Sequence, residues 1–185
     1  VVITACGSSR YASLIGRYLF SKVSRKFCDV IMASEFVFFF DAVNDGKLII
    51  GVSQSGETAD VIEGVKQAKA RGAKVLSIIN TVGSSLARMS DQVVYLNCGT
   101  EVSVPATKSF LSQLVAFYLL SFSISNRFDE VEQCLKSISA LIEKNVLLNN
   151  ISVPGVANKL SEHDKIYYIA RGINFAIAGE AALKL

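Results

Sequence analysis

The chain has 185 residues, 51% of them hydrophobic and 19% charged, with a net charge of +3. That length supports one domain with a proper core and a little more. The charge is too small and too evenly spread for a nucleic-acid surface, and no stretch of roughly 18 residues runs without a charge or a turn signal, which argues against a membrane-spanning helix.

Residues 1–4 read as a strand and residues 9–22 as the helix that follows it. Lys22, Arg25 and Lys26 form the only basic cluster, at a helix end where cations complement the dipole. A strand over 28–31 comes next, then a helix over 33–40, whose Phe-Val-Phe-Phe-Phe run at 36–40 is expected to pack against the sheet or a partner subunit. A third strand spans 48–52. The helix over 58–71 stops at Arg71-Gly72, and strands at 75–79 and 93–96 complete the set. Several strands are apolar at successive positions, as in a sheet covered on both faces. The expected fold is therefore α/β, a three-layer, doubly wound, five-stranded parallel sheet.

After Gly99 two helical patterns, 107–125 and 130–148, run with no strand between them. The longest apolar run, 110–124, is broken by Ser112, Gln113, Ser121 and Ser123 and reads as a core helix. Residues 149–155 are turn-rich and mark a boundary. A strand is expected over 166–170, then Arg171-Gly172 and a helix from about Asn174 onward. Strand, glycine turn and helix repeat the opening of the chain, as if a second domain begins and is cut off. No secretory leader is expected. Cys6, Cys28, Cys98 and Cys134 show no C-x-x-C spacing and read as buried reduced thiols of a cytoplasmic protein.

In a doubly wound sheet ligands sit beyond the carboxyl ends of the strands, and three loops there are chemically unusual. Cys6-Gly7-Ser8-Ser9 follows the first strand and opens a helix with two hydroxyls beside free N–H groups; an ordinary serine cap is the competing explanation. Ser53-Gln54-Ser55-Gly56-Glu57-Thr58 follows the third strand and supplies hydroxyls, an amide and a helix N-terminus. Such a nest suits a phosphate monoester, and it lacks the lysine of a nucleotide P-loop. Gly99-Thr100-Glu101 to Thr107-Lys108 follows the fifth strand, with Thr107 as a helix cap and Glu101 as a carboxylate that orients the loop. His163, the only histidine, falls in a polar stretch and reads as a solvated turn residue.

Together the loops resemble those of the SIS (sugar isomerase) family, and within it the branch formed by the isomerase halves of glucosamine-fructose-6-phosphate aminotransferases. There they look like C-G-T-S, S-Q-S-G-E-T and G-T-E-x-x-V-A-S-T-K-A-F; here they are C-G-S-S, S-Q-S-G-E-T and G-T-E-V-S-V-P-A-T-K-S-F. Asp29 to Glu35 (D-V-I-M-A-S-E) and Gly179 to Leu185 (G-E-A-A-L-K-L) are similar as well. The resemblance implies that Ser53, Gln54, Ser55 and Thr58 hold the phosphate, Ser9 contacts the sugar, and Val104 offers its backbone carbonyl. It also sets Lys184 near the isomerisation centre, with the main catalytic carboxylate beyond Leu185. Pro105 and Ala106 depart from the family pattern, which has a serine where Ala106 stands.

The resemblance further implies a first sugar-isomerase domain over 1–150, trailing helices included, and the start of a second lobe over 151–185. It implies fructose 6-phosphate or glucosamine 6-phosphate as ligand, a homodimer, and a glutaminase domain upstream in the parent chain. No cofactor, metal, nucleic acid or membrane partner is expected. The parent would transfer nitrogen to fructose 6-phosphate while isomerising it, and this chain alone would be inactive. A stand-alone sugar-phosphate isomerase or deaminase, and a sugar-phosphate-sensing domain of a transcription regulator, stay open at this point.

Overall fold

The computed structural model describes residues 1–103, 105–150 and 152–185. Five strands form one all-parallel sheet: β1 (Val2–Ala5), β2 (Asp29–Met32), β3 (Leu48–Ser53), β4 (Lys74–Ile79) and β5 (Gln92–Tyr95), in the spatial order β2-β1-β3-β4-β5. Ile3 pairs with Val30 on one side and Ile50 on the other, and Ile50 with Leu76. The chain moves outward from β1 to β2, then returns past β1 to β3 and continues the opposite way. That reversal opens a crevice beyond the carboxyl ends of β1 and β3.

Side chains alternate between the faces of a strand, and here both faces are apolar. Ile50 and Val52 join Ile3, Ala5 and Ile78 in one core cluster, while Ile49 enters another on the opposite side. The first face is covered by α1 (Gly7–Lys22), α4 (Lys108–Ile124) and α7 (Ile173–Lys184); the second by α2 (Ala59–Ala70) and α3 (Ser85–Met89). Small residues let α1 approach its neighbours closely. Gly16 leaves room for the Phe117 ring, and Gly179 for the ring of Tyr11. Phe117 is fully buried and meets Phe20 edge-on at 6.4 Å. Hydroxyls tie α1 to α4 at its far end, with Ser24 Oγ donating to Ser121 O at 2.8 Å and Ser125 Oγ to Val23 O at 3.0 Å.

Four expectations need correction. The helix over 33–40 is instead a 3-10 turn at Phe36–Ala42. An aromatic and β-branched run holds a regular helix weakly, and Phe36 and Phe40 bury together, rings 5.2 Å apart, leaving Phe38 77% exposed. The stretch 166–170 forms no strand. A strand needs a partner for its backbone groups, and none of the five pairs with it among the described residues. The turn-rich stretch 149–155 is helical at its end, where α6 (Val153–Leu160) takes in its last three residues and Pro154 occupies the first turn, a position that tolerates proline. It follows α5 (Phe128–Asn149), where Val131 is the buried residue. Finally, the cysteines are all free, but only Cys28 is buried, its thiol pushed up to about 11 by loss of water; Cys6 and Cys98 are half-buried and Cys134 is exposed. No helix among the described residues is long and apolar enough to cross a membrane.

Replacing Phe117 with alanine should cost about 3–5 kcal/mol of unfolding free energy, because the space between α1 and α4 cannot close over the lost ring. In the monomer, Phe38→Ala should change it by less than about 0.5 kcal/mol. Urea melts of both variants check the pair, and a large loss at Phe38 would show that its ring is covered.

Candidate functional site

α1 starts directly after β1 and α2 one loop after β3, so their N-termini flank the crevice. Cys6 precedes α1 in extended conformation and Thr58 precedes α2, and neither side chain caps its helix. The first N–H groups of each helix therefore lack the usual intrahelical acceptor and present partial positive charge to the crevice.

The loop after β3 is held by its own polar atoms. Ser53 Oγ accepts from Gly56 N at 3.0 Å and lies 2.8 Å from Thr58 Oγ1; Ser55 Oγ accepts from Glu57 N at 3.1 Å. Gly56 adopts φ +69°, and a Cβ there would collide with the side chain of Ser84. Its carbonyl accepts from Leu86 N at 3.0 Å, which docks α3 against the loop. Glu57 points the same way, its Oε1 accepting from Ser85 N at 2.7 Å. That backbone bond holds the Glu57 carboxyl below the usual carboxylate range. Glu57 thus stabilises the start of α3, not of its own helix.

Glu101 plays the same part in the loop after β5. Its Oε2 accepts from Thr107 N at 3.2 Å and Ser109 N at 2.9 Å, tying the loop to the start of α4. The Ser109 hydroxyl beside it and these backbone donors hold its carboxyl below the usual range. Gln113, one turn further along α4, donates from Nε2 to Ser9 Oγ at 2.9 Å.

These three loops enclose a pocket of about 180 Å³ lined by Ser9, Ser53, Gln54, Ser55, Thr58 and Glu101, together with Cys6, Ser8, Ser103 and Ala106. A shallower polar groove of about 690 Å³, lined by Asn80, Asn97 and Thr100, shares Gln54, Ser55 and Glu101 with it. Among the described residues neither lysine nor arginine lines the pocket, so an anion there meets hydroxyls, amides and two helix N-termini, with the Glu101 carboxylate on the wall. The Cys6 thiol is pushed up by burial and stays protonated. Ser9, Ser53, Gln54, Ser55 and Thr58, separated by up to 49 positions in the chain (58 − 9), are thus brought together. Val104 lies outside the described residues. Lys184 stands at the rim, its ammonium bonded to Ala106 O and paired with the buried carboxylate of Glu180.

His163 is exposed and lines a separate hollow between α6 and the end of α7, away from these loops. Among the described residues no cluster of three His, Cys, Asp or Glu could hold a metal ion. Ser103 and Gln113 are site residues that the sequence did not single out; Ser103 carried only the general polarity of its loop, and Gln113 carried no signal beyond interrupting an apolar run.

A family model described as SIS domain matches residues 1–122. The whole chain aligns at 37% identity with a glutamine–fructose-6-phosphate aminotransferase (isomerizing) of Clostridium perfringens, covering 32% of it. A protein of the same name from Aquifex aeolicus is 38% identical, again over the whole chain and 31% of the relative. Among solved structures, the C-terminal domain of glucosamine-fructose-6-phosphate aminotransferase from Francisella tularensis superposes with a TM-score of 0.90 at 32% identity, over 99% of this chain and 54% of that one. The chain spans about a third of the curated relatives it matches.

The site geometry makes Glu101 a pH-dependent brace. Its depressed folded-state pKa means its contribution is fully present above the ordinary glutamate value of about 4.3 and is lost as pH falls through the lower folded value. The stability difference between the unsubstituted chain and Glu101→Gln should therefore be larger near neutral pH than near pH 3, as urea melts at both pH values would record. A difference independent of pH would show that the ionised carboxylate contributes nothing.

Proposed function

The chain belongs to the SIS domain family, and we propose that it is the sugar-phosphate-binding lobe of a ketose-phosphate aminotransferase that converts fructose 6-phosphate to glucosamine 6-phosphate. The observation that carries this reading is the pocket beyond the carboxyl ends of β1 and β3, lined by hydroxyls, the Glu101 carboxylate and two uncapped helix starts, with no basic side chain among its described lining residues. A phosphate monoester is acceptor-rich and dianionic, and N–H and O–H donors at helix starts satisfy it without a lysine. Ser53, Gln54, Ser55 and Thr58 are assigned to the phosphate and Ser9 to the sugar. Val104 offers its carbonyl, and Lys184 brings positive charge to the rim. The names of the curated relatives favour an aminotransferase over a stand-alone isomerase, a deaminase or a sensor domain.

Isomerising a ketose phosphate requires a base within reach of the proton beside the carbonyl. The carboxylates near the pocket are already engaged: Glu57 with α3, Glu101 with α4 and Glu180 with Lys184. The first two are also held below the usual range, which makes them weaker bases. In this proposal the base comes from outside residues 1–185, in a second lobe that residues 151–185 begin, and the nitrogen comes from a glutaminase domain upstream. A cytoplasmic setting belongs to the same reading, supported by four free thiols.

Calorimetric titration with fructose 6-phosphate tests the binding role. Ser55→Ala and Thr58→Ala should each weaken binding by about 1 kcal/mol, roughly fivefold. The same sample in deuterated water should show no exchange at carbon one above the protein-free rate. Equal binding of unphosphorylated fructose would overturn the phosphate assignment, and exchange abolished by Glu57→Gln or Glu101→Gln would overturn the structural role given to those carboxylates.

Self-association of two copies is the second part of the proposal. Val37 and Phe38 stand exposed on the 3-10 turn, as do Leu141, Val146 and Leu147 on α5. Apolar area of this kind is costly to leave in water. Sedimentation at micromolar concentration should give at least a dimer, and a clean monomer would remove this part.

A further inference from the structure

Gln113 belongs to none of the three binding loops, yet it reaches the pocket from behind. It lies on the inner face of α4, 1% exposed, beside Ala116 and Phe117 in the core between α1 and α4. A carboxamide there is an expensive choice, since its Oε1 is buried with no partner. The other end of the amide is used: Nε2 donates to Ser9 Oγ across 104 positions of sequence.

A serine hydroxyl has one proton to donate and lone pairs to accept with. The Gln113 N–H occupies a lone pair of Ser9, and among the described residues nothing accepts the Ser9 hydroxyl proton. Ser9 also lines the pocket. The reverse amide orientation would let Ser9 donate to Oε1, but it would leave both N–H groups buried and unpaired, where the present one leaves one N–H and the oxygen. Meanwhile Ser13 Oγ donates to Ser9 O at 2.7 Å and steadies the turn that carries Ser9.

We infer that Gln113 is a positioning residue that fixes the hydroxyl of Ser9 as a hydrogen-bond donor aimed into the pocket, toward an acceptor oxygen of the bound sugar phosphate. The inference rests on the sugar-phosphate reading. An apolar residue of the same length would fill the core equally well but leave the Ser9 hydroxyl free to rotate. Position 113 therefore sets ligand affinity through Ser9 and does not set stability.

The test is a double-mutant cycle on the 185-residue chain, titrated with fructose 6-phosphate, with urea melts on every variant. Gln113→Met should bind about fivefold more weakly than the unsubstituted chain while unfolding at the same or a higher urea concentration. Combined with Ser9→Ala it should cause no further loss, because the hydroxyl it orients is gone. An affinity loss of the same size in the Ser9→Ala background, or undiminished binding by a folded Gln113→Met, overturns the inference and leaves the sugar-phosphate reading intact. If the unsubstituted chain binds no fructose 6-phosphate, both fail together. Should Gln113→Met not fold, the side-chain amide resonances of Gln113 in the unsubstituted chain decide: they shift on adding ligand if the inference holds, and stay fixed if it does not.

Discussion

Two helices begin at the same end of the sheet with no side chain capping them, and the pocket follows from that arrangement. A helix start leaves several N–H groups without an intrahelical acceptor. When a side chain supplies the acceptor, the end is satisfied and inert; when none does, the end waits for water or an anion. Here the hydroxyls best placed to cap are engaged elsewhere. Ser53 accepts from Gly56 N and is bonded to Thr58, and Ser55 accepts from Glu57 N. The loop's serines thus shape its backbone.

Such a loop is useful only if it cannot relax, and the parallel sheet supplies the rigidity. β1 and β3 are apolar on both faces and sit between other strands, so the ends from which the loops spring are fixed. α3 adds a brace from the side through Gly56 O and the Glu57 carboxylate. Gly56 suits its place for two independent reasons, a positive φ and the proximity of Ser84. α4 adds a second brace through Glu101, and Gln113 on the same helix reaches Ser9. The first two loops of the pocket are thus held by an element other than the one they start, while Glu101 ties the third to its own helix.

The acidic residues around the pocket separate by use. Glu57 and Glu101 accept from backbone N–H groups at helix starts, where negative charge is favoured, and their lowered pKa values are the mark of that work. Glu180 is buried and paired with Lys184, whose ammonium also bonds Ala106 O and so couples α7 to the third loop. This linkage connects the last helix of the chain to the pocket rim.

The five strands and the helices α1 and α2 were legible because they depend on local pattern, short apolar runs alternating with helical periodicity, whereas the five-residue α3 was too short to show a period. The polar loop after β3 was legible for a related reason, since Ser53 to Thr58 crowd polar groups around one glycine at a helix start, a density that capping alone does not require. The unpaired stretch at 166–170 shows the limit of that logic. It has the apolar, β-branched character of a strand, but a strand exists only through a neighbour, and apolar character cannot say whether one is present. The Phe36–Ala42 turn shows the same limit, as burial of Phe36 and Phe40 decided which rings turned inward. Gln113 was invisible in sequence because a lone glutamine in an apolar helix carries no period and no motif. Only the packing of α4 on α1 brought it to Ser9, 104 positions away, and contacts of that span are fixed by the tertiary fold alone.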